Sequence, residues 1–292
     1  MASKRRVVAS ISSWFCVPEQ GMKDLEILSR GSCFIVPKMQ EKNGGPKFHV
    51  LTASHIVSPW RWPKFYPDEW LQYLNERHTH YTMELRHEDG SFITQSELVP
   101  TTYHHPSRDV AALHLDDEDE AMDMMGSLGF TPLELVDAPP LEGQELIFRG
   151  HEVLGEMSES ADERRPIPCD VGGRVQLRSP AQTFAATDKL LHDGMCGGPV
   201  TAAIENALGM TTEKVAGIVE GIVGADSPAV DYRGLAVFLE AHDMAEFLRQ
   251  IEEGKCENEN VLRGGEAAAH VSADQDPDKM DWKSILEQHA DK

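Results

Sequence analysis

Apolar residues in this chain come in short runs separated by glycine, proline and polar clusters: 32–37, 47–53, 83–87, 109–115, 145–149, 173–178, 198–203, 214–223 and 233–239. Runs of this length bounded by turn residues predict β-strands, and a long succession of them predicts a sandwich or a pair of barrels. Residues 7–16, rich in Val, Ile, Trp and Phe, suit an opening strand. A mitochondrial presequence is the competing reading there, because Lys4, Arg5 and Arg6 precede a serine-containing stretch with no acid before Glu19. Helical signal is local. Pro67, Asp68 and Glu69 open a segment with the character of a helix start, and 241–252 reads as an amphipathic helix.

The acidic cluster Asp116, Asp117, Glu118, Asp119, Glu120 and Asp123 interrupts the strand pattern midway and reads as a solvated connection between two halves. A calcium loop needs turn glycines at fixed offsets, which the cluster lacks. Residues 254–292 turn polar and acidic and read as a mostly disordered tail with one short helix candidate at 282–288. The expected organisation is one unit over 1–253, with a first barrel at about 7–125, a second at about 126–240 and a helix at about 241–252, followed by the tail at 254–292.

The net charge of −22 over 292 residues argues against a nucleic-acid or membrane-surface binder and is compatible with basic peptides. Cysteines 16, 33, 169, 196 and 256 are odd in number and scattered, so neither disulfides nor zinc are expected. His78, His80, His104 and His105 lack a regular ligand spacing. No phosphate-binding glycine loop, dinucleotide fingerprint or HExxH helix occurs, and no cofactor or metal is expected. No apolar run is long enough to span a bilayer, which predicts a soluble, intracellular protein. The cytoplasm is the favoured compartment, with the mitochondrion left open by the basic start.

Chemistry concentrates at Asp193-Gly194-Met195-Cys196-Gly197-Gly198-Pro199, a glycine-rich turn that offers one thiol. A thiolate is a strong nucleophile, and backbone N–H groups of Gly194, Met195 and Cys196 on such a turn can face a developing oxyanion. His55, in Leu51-Thr52-Ala53-Ser54-His55, is the candidate base, and Asp109, in Arg108-Asp109-Val110-Ala111-Ala112-Leu113, the candidate orienting acid. Separations of 54 and 87 residues put base and acid in the first half and the nucleophile in the second. The order His, Asp, nucleophile is that of chymotrypsin-type proteases.

Further segments extend this likeness over about residues 7–250, and the chain resembles an HtrA/Deg-type protease domain of the trypsin-like superfamily. Gly31-Ser32-Cys33-Phe34 is similar to that family's GSGF strand, with Cys33 for glycine, and 51–57 resembles LTNAHVV. Residues 109–113 resemble DIALL, and 234–237 resemble GFAIP. The family uses serine; the Gly-x-Cys-Gly-Gly turn instead looks like that of viral chymotrypsin-fold cysteine proteases. Val219 stands where those viral enzymes carry a specificity histidine, and the tail is too short for a PDZ domain. The resemblance implies an all-β fold of two six-stranded-type barrels, a trypsin-like double barrel with a C-terminal helix. It also implies a peptide or protein substrate lined by Leu190, His192, Val219 and Glu220, with Leu190 at the base of a pocket for a neutral or apolar side chain.

Two functions remain in competition at this level. One is an endopeptidase working through a thioacyl intermediate on Cys196. The other is a protease-fold binding or scaffold protein without turnover, suggested by the serine-to-cysteine exchange, Met195, Cys33 and an aromatic insertion at 58–82. The insertion reads as packing across a barrel mouth, with substrate gating or partner docking as alternatives.

Overall fold

The computed structural model describes residues 5–40, 45–63, 66–154, 165–179, 182–205, 209–227 and 229–256. The tail expected at 254–292 therefore lies almost wholly outside the described residues, as does the helix candidate at 282–288.

The first half holds β1 (Ala9–Phe15), β2 (Glu26–Pro37), β3 (Phe48–Thr52), α1 (Ser54–Val57), β4 (Thr79–Arg86), β5 (Phe92–Leu98), β6 (Tyr103–His104), β7 (Ala111–Leu113) and α2 (Glu118–Ser127). The second holds β8 (Glu145–Leu154), β9 (Arg165–Arg178), β10 (Thr183–Thr187), β11 (Pro199–Glu205), β12 (Thr211–Ile222), β13 (Ala236–Glu240) and α3 (Ala241–Glu252). The first seven strands form an antiparallel sheet in the order β5-β4-β1-β2-β3-β7-β6. It curls back on itself where Leu98 bridges Leu115 and the Val99 N–H donates to the His114 carbonyl at 2.9 Å. The other six close a barrel in the order β10-β13-β12-β11-β8-β9.

The near-continuous apolar runs have a simple cause: the central strands are covered on both faces. Cys33 and Ile35 of β2 point into the first barrel with Ile11, Val50, Ala111 and Leu113. Their neighbours Phe34 and Val36 point outward and join Leu51, Val110 and Ala112 in a third core between the barrels, completed by Val215, Ile218 and Leu239 and capped by Met244, Phe247, Leu248 and Ile251 of α3. The second barrel is filled by Phe148, Val171, Val200, Ala216, Val219 and Phe238. Each such side chain contributes about 1.5–3 kcal/mol when fully buried. This architecture is the all-β pair of barrel-like sheets with a C-terminal helix that the sequence predicts.

Three local readings change. The acidic cluster is not a loop but the start of α2: the Asp117 side chain caps the helix by accepting from the Glu120 N–H at 3.1 Å, with Glu118, Asp119 and Glu120 in the first turn. Carboxylates at a helix N-terminus meet unpaired N–H groups and the positive end of the helix dipole, so the same acids that suggest solvent also start a helix. Residues 69–73 form a 3-10 turn rather than an α-helix. Finally, β9 begins well before the apolar run at 173–178. Pro166 and Pro168 lie in its first part, which pairs with β8 alone; β10 covers only 173–178, so neither proline interrupts a two-sided ladder.

Phe148 and Phe238 meet edge to face inside the second barrel, ring centroids 6.0 Å apart. Phe238→Ala is expected to cost about 3–5 kcal/mol, read as a lower urea midpoint in chemical denaturation.

Candidate active site

The turn that carries Cys196, the candidate nucleophile, is shaped by its glycines. Gly197 has φ +79°, and a Cβ there would lie 2.5 Å from both the Ala53 nitrogen and the Ser32 carbonyl; at Gly198 a Cβ would lie 2.1 Å from the Arg149 carbonyl. The turn is thus wedged between strands of both barrels. The Ser32 N–H donates to the Cys196 carbonyl at 3.0 Å, and the Ser32 hydroxyl to the Gly194 carbonyl at 2.7 Å. That hydroxyl also meets Nδ1 of the fully buried His151 at 3.0 Å. Since its single proton goes to Gly194, His151 is the donor in that contact.

His55 sits in α1, directly after β3, and Asp109 directly before β7, the strand paired with β3. Neighbouring strand ends bring the two together. Asp109 accepts from the His55 backbone N–H at 2.9 Å and, through its other oxygen, from Nδ1–H. Nε2 is left for the Cys196 sulfur, whose hydrogen bond with the ring favours the protonated imidazole. Burial alone would push His55 down. The hydrogen bonds and charges of Asp109 and Cys196 outweigh it, and His55 is pushed up to about 10. The imidazole therefore holds two protons at neutral pH.

Two aromatic residues of the insertion enclose this ring. Trp62 stands edge-on with its centroid 6.5 Å from that of His55, and Tyr66 lies at 6.1 Å. Burial pushes the Tyr66 phenol upward, and the charges of Cys196, Asp109 and Asp193 add to it. Behind them Trp60, Tyr66 and Trp70 pack on a small core of Phe15, Val17, Leu71 and Leu74 at the barrel mouth. His104 supports α1 from below, with Nδ1 2.7 Å from the Ser54 hydroxyl and Nε2 3.1 Å from that of Thr102; burial pushes it down to about 3, so it is neutral. Neither Trp62 nor Tyr66 stood out in the sequence as touching His55; the aromatic density of 58–82 was the available signal.

The remaining sequence candidates fall in different places. In the nucleophile turn the Met195 N–H donates to the His192 carbonyl at 2.9 Å and the Cys196 N–H to the Asp193 carbonyl at 3.3 Å. Two of the three expected oxyanion donors are therefore engaged inside the turn, because Asp193–Met195 closes as a 3-10 helix. Leu190 is 61% exposed, so it lines open surface rather than the floor of a closed pocket. His192 is partly exposed, with Nδ1 3.4 Å from a Glu152 oxygen. Val219, 1% exposed, is a core residue of the second barrel; what it offers the turn is its backbone, which pairs with Gly197 and Gly198 at 2.9 Å. The Glu220 side chain turns inward onto Arg108. Among the described residues no three His, Cys, Asp or Glu side chains form a group able to hold a metal, and no helix is long and apolar enough to cross a membrane.

The raised His55 has a consequence for stability. A histidine that gains affinity for its proton on folding stabilises the folded state fully below its unfolded value of about 6.5, and this contribution is lost as pH rises through about 10. Denaturation of wild type and His55→Gln at a series of pH values is expected to show a wild-type advantage that shrinks between these limits.

Comparison with protein-family models and with curated proteins finds no match. Solved structures similar in fold include the Rv3671c protease in its inactive form, at 16% identity and a TM-score of 0.44 over 83% of this chain and 88% of that one. The active form of Rv3671c from M. tuberculosis is also 16% identical, with a TM-score of 0.45 over 83% and 80%.

Proposed function

We propose that this protein is an endopeptidase that uses Cys196 as nucleophile, His55 as proton carrier and Asp109 as the group that orients it. The observation that supports this reading is the convergence of thiol, imidazole and carboxylate, from two barrels, in one hydrogen-bonded series. The second proton of the imidazole is the one that the thiol gives up to Nε2, so the sulfur attacks the peptide carbonyl as a thiolate. As the C–N bond breaks, His55 gives its proton to the leaving amine, and a thioacyl link to Cys196 remains. Water then attacks that link, His55 accepts its proton, and the acid product leaves with Cys196 restored. Asp109 keeps Nδ1 protonated throughout, so that Nε2 faces the reaction.

The closed turn must change during this cycle. At 3.3 Å the Cys196–Asp193 bond is longer than usual for N–H···O. A bond to an oxyanion is charge-assisted and roughly twice as strong, so rotation of the Asp193–Gly194 peptide in favour of the oxyanion is downhill once the charge forms. The same closed turn favours a second reading, a binding protein of protease fold in which Cys196 never turns over.

Thiol chemistry separates the two. Burial pushes Cys33 well above its ordinary value and Cys169 up to about 11, and also raises Cys256. Timed alkylation with mass-spectrometric localisation is expected to label Cys196 ahead of these three, at a rate that falls by roughly 100-fold in His55→Ala. Cys196→Ala is expected to abolish cleavage of a peptide library. An unreactive Cys196 in folded protein, or cleavage that survives this substitution, removes the peptidase reading.

A further inference from the structure

Glu220 occupies an unusual position. In the β12–β13 pairing Val219 faces Phe238 and Gly221 faces Val237, so Glu220 is the extra residue of a β-bulge. A bulge re-aims a side chain, and this one turns Glu220 away from the β12 surface toward the first barrel. There its carboxylate receives Arg108 side-on, Nε to Oε1 at 3.0 Å and Nη2 to Oε2. Both side chains are nearly buried, at 13% and 9% exposure. The same Oε1 lies 3.4 Å from the Asp109 N–H, and the Glu220 carbonyl lies 3.8 Å from the Cys196 sulfur. One residue of the second barrel thus touches the residue before the orienting acid, the backbone of that acid and the nucleophile.

We propose that the Arg108–Glu220 pair is a positioning strut between the barrels, which holds Asp109 on His55 by occupying the guanidinium that would otherwise compete for it. The proposal rests on the peptidase reading for its catalytic consequence and on geometry alone for the positioning. A forked Arg–carboxylate contact fixes distance and angle together, which a single point contact does not. The charge balance follows from the neighbours. Arg108 and Asp109 are adjacent in sequence, and Glu220 is the buried carboxylate that neutralises Arg108, leaving the charge of Asp109 for the imidazole. Removing the Glu220 charge leaves the buried Arg108 cation without its forked carboxylate next to Asp109, and Asp109 is then drawn from the ring. Removing the Arg108 charge leaves the Glu220 carboxylate unneutralised beside the Asp109 backbone, which has the opposite electrostatic effect on the Asp109–His55 pair.

The opposite signs give the test. In E220Q the His55 titration midpoint, followed by NMR of the ring protons, is expected to fall from about 10 toward its ordinary value, with Cys196 alkylation slowed by roughly 100-fold, the scale of a misplaced catalytic group. In R108Q the midpoint is expected not to fall. The double variant R108Q/E220Q, an uncharged hydrogen-bonding pair, is expected to recover most of the alkylation rate, so that the single effects are strongly non-additive. Should E220Q not fold, R108K carries the test: it keeps the charge without the fork, and its Cys196 rate is expected to lie clearly below wild type. A His55 midpoint unmoved in E220Q, an equal fall in both single variants, or a wild-type rate in R108K overturns the strut. Wild-type protein whose Cys196 is inert but whose His55 midpoint responds as described overturns the peptidase reading and leaves the strut standing.

Discussion

Everything at this site depends on the fixed separation of two barrels. His55 and Asp109 belong to the first and Cys196 to the second, so no single unit of the fold contains the complete relay. The apolar layer between them sets the distance: Phe34, Val36, Leu51, Val110 and Ala112 on one side meet Val215, Ile218 and Leu239 on the other, with α3 closing the seam. Side chains in such a layer are close-packed, so the barrels cannot slide without opening voids.

Polar contacts then refine what packing roughly places. Ser32 ties the nucleophile turn to β2 through its backbone and its hydroxyl, and His151 holds that hydroxyl from the second barrel. Burial keeps His151 neutral, pushed down to about 3. A neutral donor suits a dry position, where an imidazolium would lack a counter-charge. The relay itself is different: His55 is almost as dry, yet it lies between a carboxylate and a sulfur, and there the charged form prevails. Two buried histidines in one junction thus take opposite protonation states because their partners differ.

The aromatic insertion adds a third layer to the same logic. Trp60, Tyr66 and Trp70 bury their faces against the first barrel's mouth, while Tyr66 and Trp62 also border the His55 ring. A segment anchored in this way shields the relay from water, which strengthens the electrostatic coupling between its members. It also narrows the approach to His55 from that side, so packing and access are served by the same residues.

Much of this was legible in the chain itself. Short apolar runs with turn residues between them specify strands, because alternating side chains need only local order to be read. The glycines around Cys196 announce a tight turn, since only an absent Cβ tolerates a positive φ and backbone contacts near 2 Å. Residue types and their order made His55, Asp109 and Cys196 candidates. What the chain could not disclose depends on which partner a side chain finds across the fold. The acids at 116–120 become a helix cap because α2 has a stripe, Ala121 and Met125, to bury on the first barrel. Glu220 changes from a cleft-lining residue to an inward-facing partner of Arg108 because a bulge, invisible in one strand alone, turns it. Val219 becomes core because register decides which face of β12 looks inward. Local sequence sets what each segment can form, whereas register, closure and charge pairing join residues a hundred positions apart, and only the packed tertiary structure settles those.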